Sequence, residues 1–474
     1  VAHDDDDASQ GDDLNELLRR LLGGGTDGGQ LDPELLSRLS GMNIDPATLQ
    51  QMMTQMQAAF AGGEEATWEM ASRQALHIAG QSDLAVSSAQ RSDLDQAFSL
   101  ANLWLGEATT VPELAQPGGA ITRARWVELT LPVWRELAEP VSGSIADAMT
   151  AALVEQTGEE FGDVAQGAGR LMRTVGGSLF ATQLGQVVGR LSMEVVSGGD
   201  VGIPLLPAGH AAILPQNFAD FGAGLEIPDD QLALATATRE LAHARLFRHA
   251  KWLRLDVIAQ IGEFARGIRI DVSALEDVAS RFDPSSPDEL RQLLESGALI
   301  PPRSDQQNAA LSRLEDVLAT VEGWVEVVTA DATARLPHAD RIAEVVRRRR
   351  AVGGPAEKAL GSLVGLELRP RRAREAASMW RAITDAVGVA ARDALWDYPD
   401  LMPTSADIDD PSTLIARLQA DAAGTAPEPD EFDDALRQLL AEESGDAPRA
   451  SGASDADDER DDDPTGTADG GRPV

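Results

Sequence analysis

Residues 236–252 read TATRELAHARLFRHAKW, and they form the centre of a stretch, 229–249, that reads as helix. At 3.6 residues per turn, Arg239 and His243 lie four apart and Glu240 and His243 three apart, so all three side chains share one face. Everything after Pro228 reads as helix as well, over 251–267, 272–281, 287–297, 304–330, 335–350, 355–366, 370–386 and 411–420. The breaks fall at Pro284, Pro287, Pro301-Pro302, Gly353-Gly354-Pro355 and Pro403. Short apolar runs flanked by proline, Ile203 to Leu206 and Ala211 to Leu214, are the best strand candidates, with a further one near Leu225 to Ile227. The expected class is therefore mainly α (α+β), with a few short strands.

The polar face of the central helix has a specific chemical reading. A zinc peptidase helix carries His-Glu-x-x-His, in which two imidazoles four apart grip the metal and the Glu takes a proton from the bound water. Here the sequence is Arg-Glu-x-x-His, with Arg239 in the first imidazole's place. Glu-x-x-His alone is weak, because such a pair on a helix is commonly an ordinary polar contact.

Upstream, Asp13 to Leu22 and the segment opened by Asp45-Pro46 read as short amphipathic helices, the second with Met52, Met53 and Met56 at helical spacing. The pattern from Glu64 to about Thr109 is again helical and is broken by Val111-Pro112. Pro132 and Pro140 are expected to bound a short Trp-bearing segment. Gly185 and Gly189 fall on one helix face, where a missing side chain lets another backbone approach.

The balance of 40 Lys plus Arg against 78 Asp plus Glu gives a net charge of −38, which argues against nucleic acid or an anionic membrane as partner. Half of that excess lies in residues 1–40 and 426–474, too polar to bury apolar surface against the entropy of ordering. With no cysteine, thiolate metal sites, disulfides and a cysteine nucleophile are excluded, so any metal must use His, Asp or Glu. No long apolar run or basic leader occurs, so a cytoplasmic location is expected. The domain reading is an acidic lead with short helices over 1–63, one large body over 64–424 and an acidic tail over 425–474. No glycine-rich phosphate loop is present in a strand-to-helix context.

Several blocks, read in order, resemble one family. They are LANLWLGEATT (100–110), GQVVGRLSMEVVSGGD (185–200), AILPQNF (212–218), RELAHARLFRHAKWL (239–253), VEGWVEV (321–327), ELRPRRAREAASMWRAI (367–383) and ARDALWDYPDLMPTSADIDDP (391–411). The chain over roughly 85–420 resembles actinobacterial zincin-like proteins, described as zinc-dependent metalloproteases or as coenzyme F420 biosynthesis-associated proteins. Nothing in the residues points to contact with that coenzyme. The resemblance implies a zincin-like helical domain and peptide hydrolysis by a zinc-bound water. Zinc is then the implied cofactor, with Glu240 as general base, His243 as a metal ligand and Glu322 as a later carboxylate ligand. Two positions depart from the family pattern: Arg239 replaces the first histidine, and Trp324 stands where members show an imidazole.

The first departure is severe. A guanidinium stays protonated below about pH 12 and offers no lone pair. Held about 4 Å from a divalent cation, it meets a repulsion on the order of 8 kcal/mol at an effective dielectric near 20. His249, six residues beyond His243 and about 240° further round, cannot replace the missing ligand without a kink. Two arrangements follow: either Arg239 occupies the former metal position and pairs with Glu322 or Glu326, or it turns to solvent and pairs with Glu240 or Asp230. The first makes this copy an altered or inactive hydrolase scaffold, or a non-catalytic scaffold that binds a peptide or protein in the retained cleft. Arg347 to Arg350 read as a solvated helix end, and the arginines around Pro370 as intramolecular partners of acids. The oligomeric state has no sequence signature.

Overall fold

A serine decides where the first long helical pattern divides. Ser87 Oγ accepts from the Gln90 amide (3.2 Å) while the Gln90 side chain accepts from the Ser87 amide (3.0 Å), a reciprocal cap that starts a new helix. The 64–109 pattern is therefore two helices, α1 (65–80) and α2 (Ser88–Ala108). The computed structural model describes residues 65–157, 177–178, 180–267, 303–351 and 371–423. The acidic ends, the two N-terminal helices, the Met positions and the expected helices 272–281, 287–297 and 355–366 lie outside these residues. The chain divides into units Val1–Gln419 and Ala420–Val474; the first carries the site described below, and of the second only residues 420–423 are described.

After α2 the chain forms β1 (Gly119–Ala120), α3 (Arg123–Thr157), α4 (180–191), β2 (Ala212–Ile213) and α5 (Pro215–Gly222). Pro132 and Pro140 do not bound a short segment, because α3 runs through both. Each removes one backbone donor, and the helix is held nonetheless by Trp126, Val133, Trp134 and Leu137, all buried. β1 and β2 pair in parallel, Gly119 opposite Ala212 and Ala120 opposite Ile213, with an antiparallel bridge from Ser197 to Ile213. Only the 211–214 run forms a strand. The runs at 203–206 and 225–227 stay irregular, and strand β1 falls where no alternating pattern marks it.

The helical body follows the expected order: α6 (Asp229–His249), α7 (Lys251–Arg266), α8 (Asp305–Thr333), α9 (Ala339–Ala351), α10 (Ala373–Ala394), α11 (Ser405–Asp409) and α12 (Ser412–Ala422). α6 opens with Asp229 and Asp230 and closes with Arg248 and His249, charges that complement its dipole. It packs against α2 and α8, and α8 packs in turn against α7 and α10. Three indoles lock the α8/α10 junction: Trp380 stacks on Trp396 (5.4 Å between centroids) and Trp324 meets Trp396 edge-on (6.3 Å). Trp324 is fully buried and donates to Asp393 Oδ1 at 3.0 Å, so this position belongs to the core. α9 rests on a separate small cluster of Ile227, Leu232, Ala235 and Ile342. Among the described residues, no helix is long and apolar enough to cross a membrane.

Gly185 and Gly189 do permit the close approach expected of them. A Cβ on Gly185 would lie 2.5 Å from the Ala71 carbonyl oxygen of α1, and one on Gly189 would lie 2.8 Å from Ile78 Cβ. Since backbone cannot move as a side-chain tip can, Gly185→Leu should lower the unfolding free energy by about 1–3 kcal/mol, the range for overpacking. Gly262 in α7 has nothing within 4 Å, so Gly262→Ala should raise it by about 0.5–1 kcal/mol. Urea denaturation of the two variants checks both signs.

Candidate functional site

The polar face of α6 opens onto a cleft of about 720 Å³ walled by α6, α8, α9 and the start of α10. At its floor lies Glu322, 3% exposed. Arg239 donates from Nη2 to Glu322 Oε2, and Arg350 Nη1 sits 2.5 Å from Glu322 Oε1. The pairing of Arg239 is therefore with Glu322, not with Glu326, Glu240 or Asp230. Burial by itself would raise the Glu322 carboxyl, but Arg350 and Arg239 outweigh it and hold the group at about 2. The Arg239 guanidinium is pushed down by burial and by Arg350, and drawn back up by Glu322.

The arginine row of α9 is not a solvated helix end. Arg347 pairs with Glu326 at 3.2 Å and with Glu344 at 3.3 Å, Arg349 with Asp200 at 2.8 Å and Arg350 with Glu322, while the exposed Arg348 pairs with Glu344 alone. Arg349, Arg350 and Asp200 are site residues that the sequence reading missed. Four consecutive arginines give no periodicity by which to pick the inward ones. Two of the arginines near Pro370 behave as expected: Arg372 pairs with Asp409, Asp316 and Glu375, and Arg371 with Glu315; Arg374 forms no ion pair among the described residues, and Arg369 lies outside them.

His243 is 5% exposed and stands beside this cluster. Its ring bonds to the Gly202 backbone, whereas Nε2 has no hydrogen-bond partner. Burial, helped by Arg350 and Arg239 and opposed by Glu322, lowers the ring to about 4. The imidazole is therefore neutral near pH 7 and keeps a bare lone pair. The other histidines do not join it: His249 pairs with Asp397 at 2.8 Å, and the His338 ring with Gln231 at 3.0 Å. Trp324, two residues from Glu322, points away into the core.

Glu240 is 2% exposed, and both oxygens are engaged. Oε2 accepts from the Gly199 amide at 2.6 Å and Oε1 from the Ala212 amide at 3.0 Å. The Gly198-Gly199 turn lies directly on this carboxylate and on His243: a Cβ on Gly198 would be 2.6 Å from Glu240 Oε1, and one on Gly199 2.7 Å from His243 Nδ1. Glu240 thus fastens β2 and the glycine turn to α6. Burial raises its carboxyl to about 7 against the pull of the Ala212 and Gly199 amides.

The residues present do not fit a zinc ion. His243 offers one lone pair and Glu322 one carboxylate, but that carboxylate is held by two guanidiniums, and Arg239 supplies no donor where the first imidazole would stand. Among the described residues, no group of three His, Asp or Glu is arranged to hold a metal.

The model of a family described as zincin-like metallopeptidases matches residues 67–415. Among solved structures, the chain is similar to a provisionally assigned hydrolase with a novel fold from Chloroflexus aurantiacus. The TM-score is 0.48 at 19% identity, covering 74% of this chain and 98% of that one. No curated protein matches the chain.

The buried groups set a pH signature. His243 drops from 6.5 to about 4, so stability is lost as pH falls through that window. Glu240 rises from 4.5 to about 7, so stability is lost as pH rises through that one. Each shift is worth on the order of 3 kcal/mol and the two oppose. Glu322 stabilises above 4.5, and its contribution disappears as pH falls towards 2. The wild-type urea midpoint should therefore be nearly level from pH 7 to 4.5 and drop below that. Glu240→Gln should cost about 1–3 kcal/mol, because one buried amide donor loses its acceptor. It should also slope downward from pH 6.5, with the His243 effect no longer offset.

Proposed function

The chain belongs to the zincin-like metallopeptidase family, and from that premise we propose that it is a hydrolase scaffold whose metal centre has been replaced by an arginine–carboxylate cluster and whose cleft binds peptide or protein segments without cleaving them. The observation that carries the proposal is the pair of guanidiniums, Arg239 and Arg350, on the buried carboxylate of Glu322. A divalent ion there would meet both positive charges, each repelling it by on the order of 8 kcal/mol at about 4 Å and an effective dielectric near 20. It would also have to take Glu322 away from a charge-assisted hydrogen bond with Arg239 and an ion pair with Arg350.

Two further features support a binding role. Glu240, in the position of the family's general base, has both oxygens bonded to backbone amides, so neither is free to take a proton from a reacting water without breaking the turn. The cleft itself is retained at about 720 Å³, within the usual range of ligand sites, roughly 300–1,000 Å³. A chain of this net charge makes nucleic acid and anionic membrane poor partners, which leaves peptide or protein as the proposed ligand.

Metal analysis by mass spectrometry of protein purified without chelator is the test. Well under one equivalent of zinc is expected, and Arg239→His combined with Arg350→Leu should raise zinc binding by restoring an imidazole pair and freeing Glu322. One tightly bound zinc per wild-type chain, with peptide cleavage abolished by chelator, would contradict the proposal.

A further inference from the structure

Helix α9 forms one wall of the cleft, yet it is only shallowly embedded in the body. Among its described residues Ile342 alone is buried, whereas thirteen of the 21 residues of α6 are. Ile342 joins the small cluster of Ile227, Leu232 and Ala235, apart from the main core.

Charge does most of the remaining fastening. Arg347 meets Glu326 of α8 at 3.2 Å and Arg350 meets Glu322 of α8 at 2.5 Å. Arg349 meets Asp200 at 2.8 Å, donates to the Glu194 carbonyl at 2.7 Å and lies over the Phe221 ring. The three arginines are between 23% and 37% exposed, so solvent ions reach their pairs. A helix with little buried apolar surface, held by partly exposed ion pairs, opens at a lower free energy than the core helices beside it. The chain enters α9 through a turn over 334–338. There the His338 amide donates to Gln231 Oε1 of α6 at 3.2 Å, and the His338 ring meets the same oxygen at 3.0 Å. That contact fixes the point about which α9 can swing.

We propose that α9 is a movable wall of the cleft, latched shut by Arg347, Arg349 and Arg350 and swung about the 334–338 turn to admit a ligand. The proposal goes beyond the peptide-binding reading and holds whichever ligand the cleft takes.

Thiol labelling of the full-length protein tests it, since the chain has no cysteine of its own. Ala235 is buried in the cluster that Ile342 completes, and Ala242, also on α6, is buried in the main core. A single Ala235→Cys is therefore covered while α9 is shut, and Ala242→Cys is covered until the whole body unfolds. N-ethylmaleimide is neutral, so salt does not alter its encounter with the protein. Raising salt from about 0.1 M to about 1 M shortens the screening length from about 10 Å to about 3 Å. The labelling rate of Ala235→Cys should then rise at least about fivefold, as loss of several partly exposed ion pairs provides. Arg349→Gln or Glu326→Gln in the Ala235→Cys background should speed labelling about threefold at low salt and lessen the response to salt. Ala242→Cys should label slowly under all these conditions. Labelling of Ala235→Cys that ignores both salt and the substitutions overturns the proposal. A parallel rise in Ala242→Cys also overturns it, because the opening is then global unfolding.

Discussion

Two guanidiniums on one buried carboxylate determine what the rest of the molecule can do. Glu322 comes from α8, Arg239 from α6 and Arg350 from α9, so the cluster joins three helices. A buried carboxylate without partners would be strongly disfavoured in its charged form. The two arginines instead keep it ionised far below the usual carboxylate range. The desolvation of Glu322 is met by its ion pairs with the two guanidiniums, and both would repel a metal ion placed on that carboxylate.

Glu240 has a structural part to play beside this cluster. Its two oxygens cap the amides of Gly199 and Ala212, fixing a glycine turn that touches His243 on its other side. A carboxylate accepting two backbone donors holds a loop in place whether or not a metal is near, and removing it would strand those donors. Glu240 therefore has a role in folding that needs no metal. His243 is similarly held by Gly202 and its burial.

Much of this was legible in the residues. The spacing of Arg239, Glu240 and His243 put them on one face, Gly185 and Gly189 marked a close helix crossing, and the impossibility of an arginine ligand made an ion pair with Glu322 or Glu326 one of two arrangements, the other turning Arg239 to solvent. These are local or single-residue arguments. What escaped was long-range. β1 is two residues long and is defined only by its partner, Ala212–Ile213. Pro132 and Pro140 sit inside α3 because buried tryptophans outweigh the lost backbone bonds. Arg349, Arg350 and Asp200 join the site through the placement of α9, which four identical side chains in a row do not encode.

Zinc-edge anomalous scattering from crystals of the wild-type protein soaked in zinc tests the central claim most directly. The account predicts continuous density for the Arg239 and Arg350 guanidiniums on Glu322 and no anomalous peak within coordinating distance of His243 Nε2. A peak about 2 Å from both His243 Nε2 and a Glu322 oxygen, with Arg239 swung aside, would contradict it.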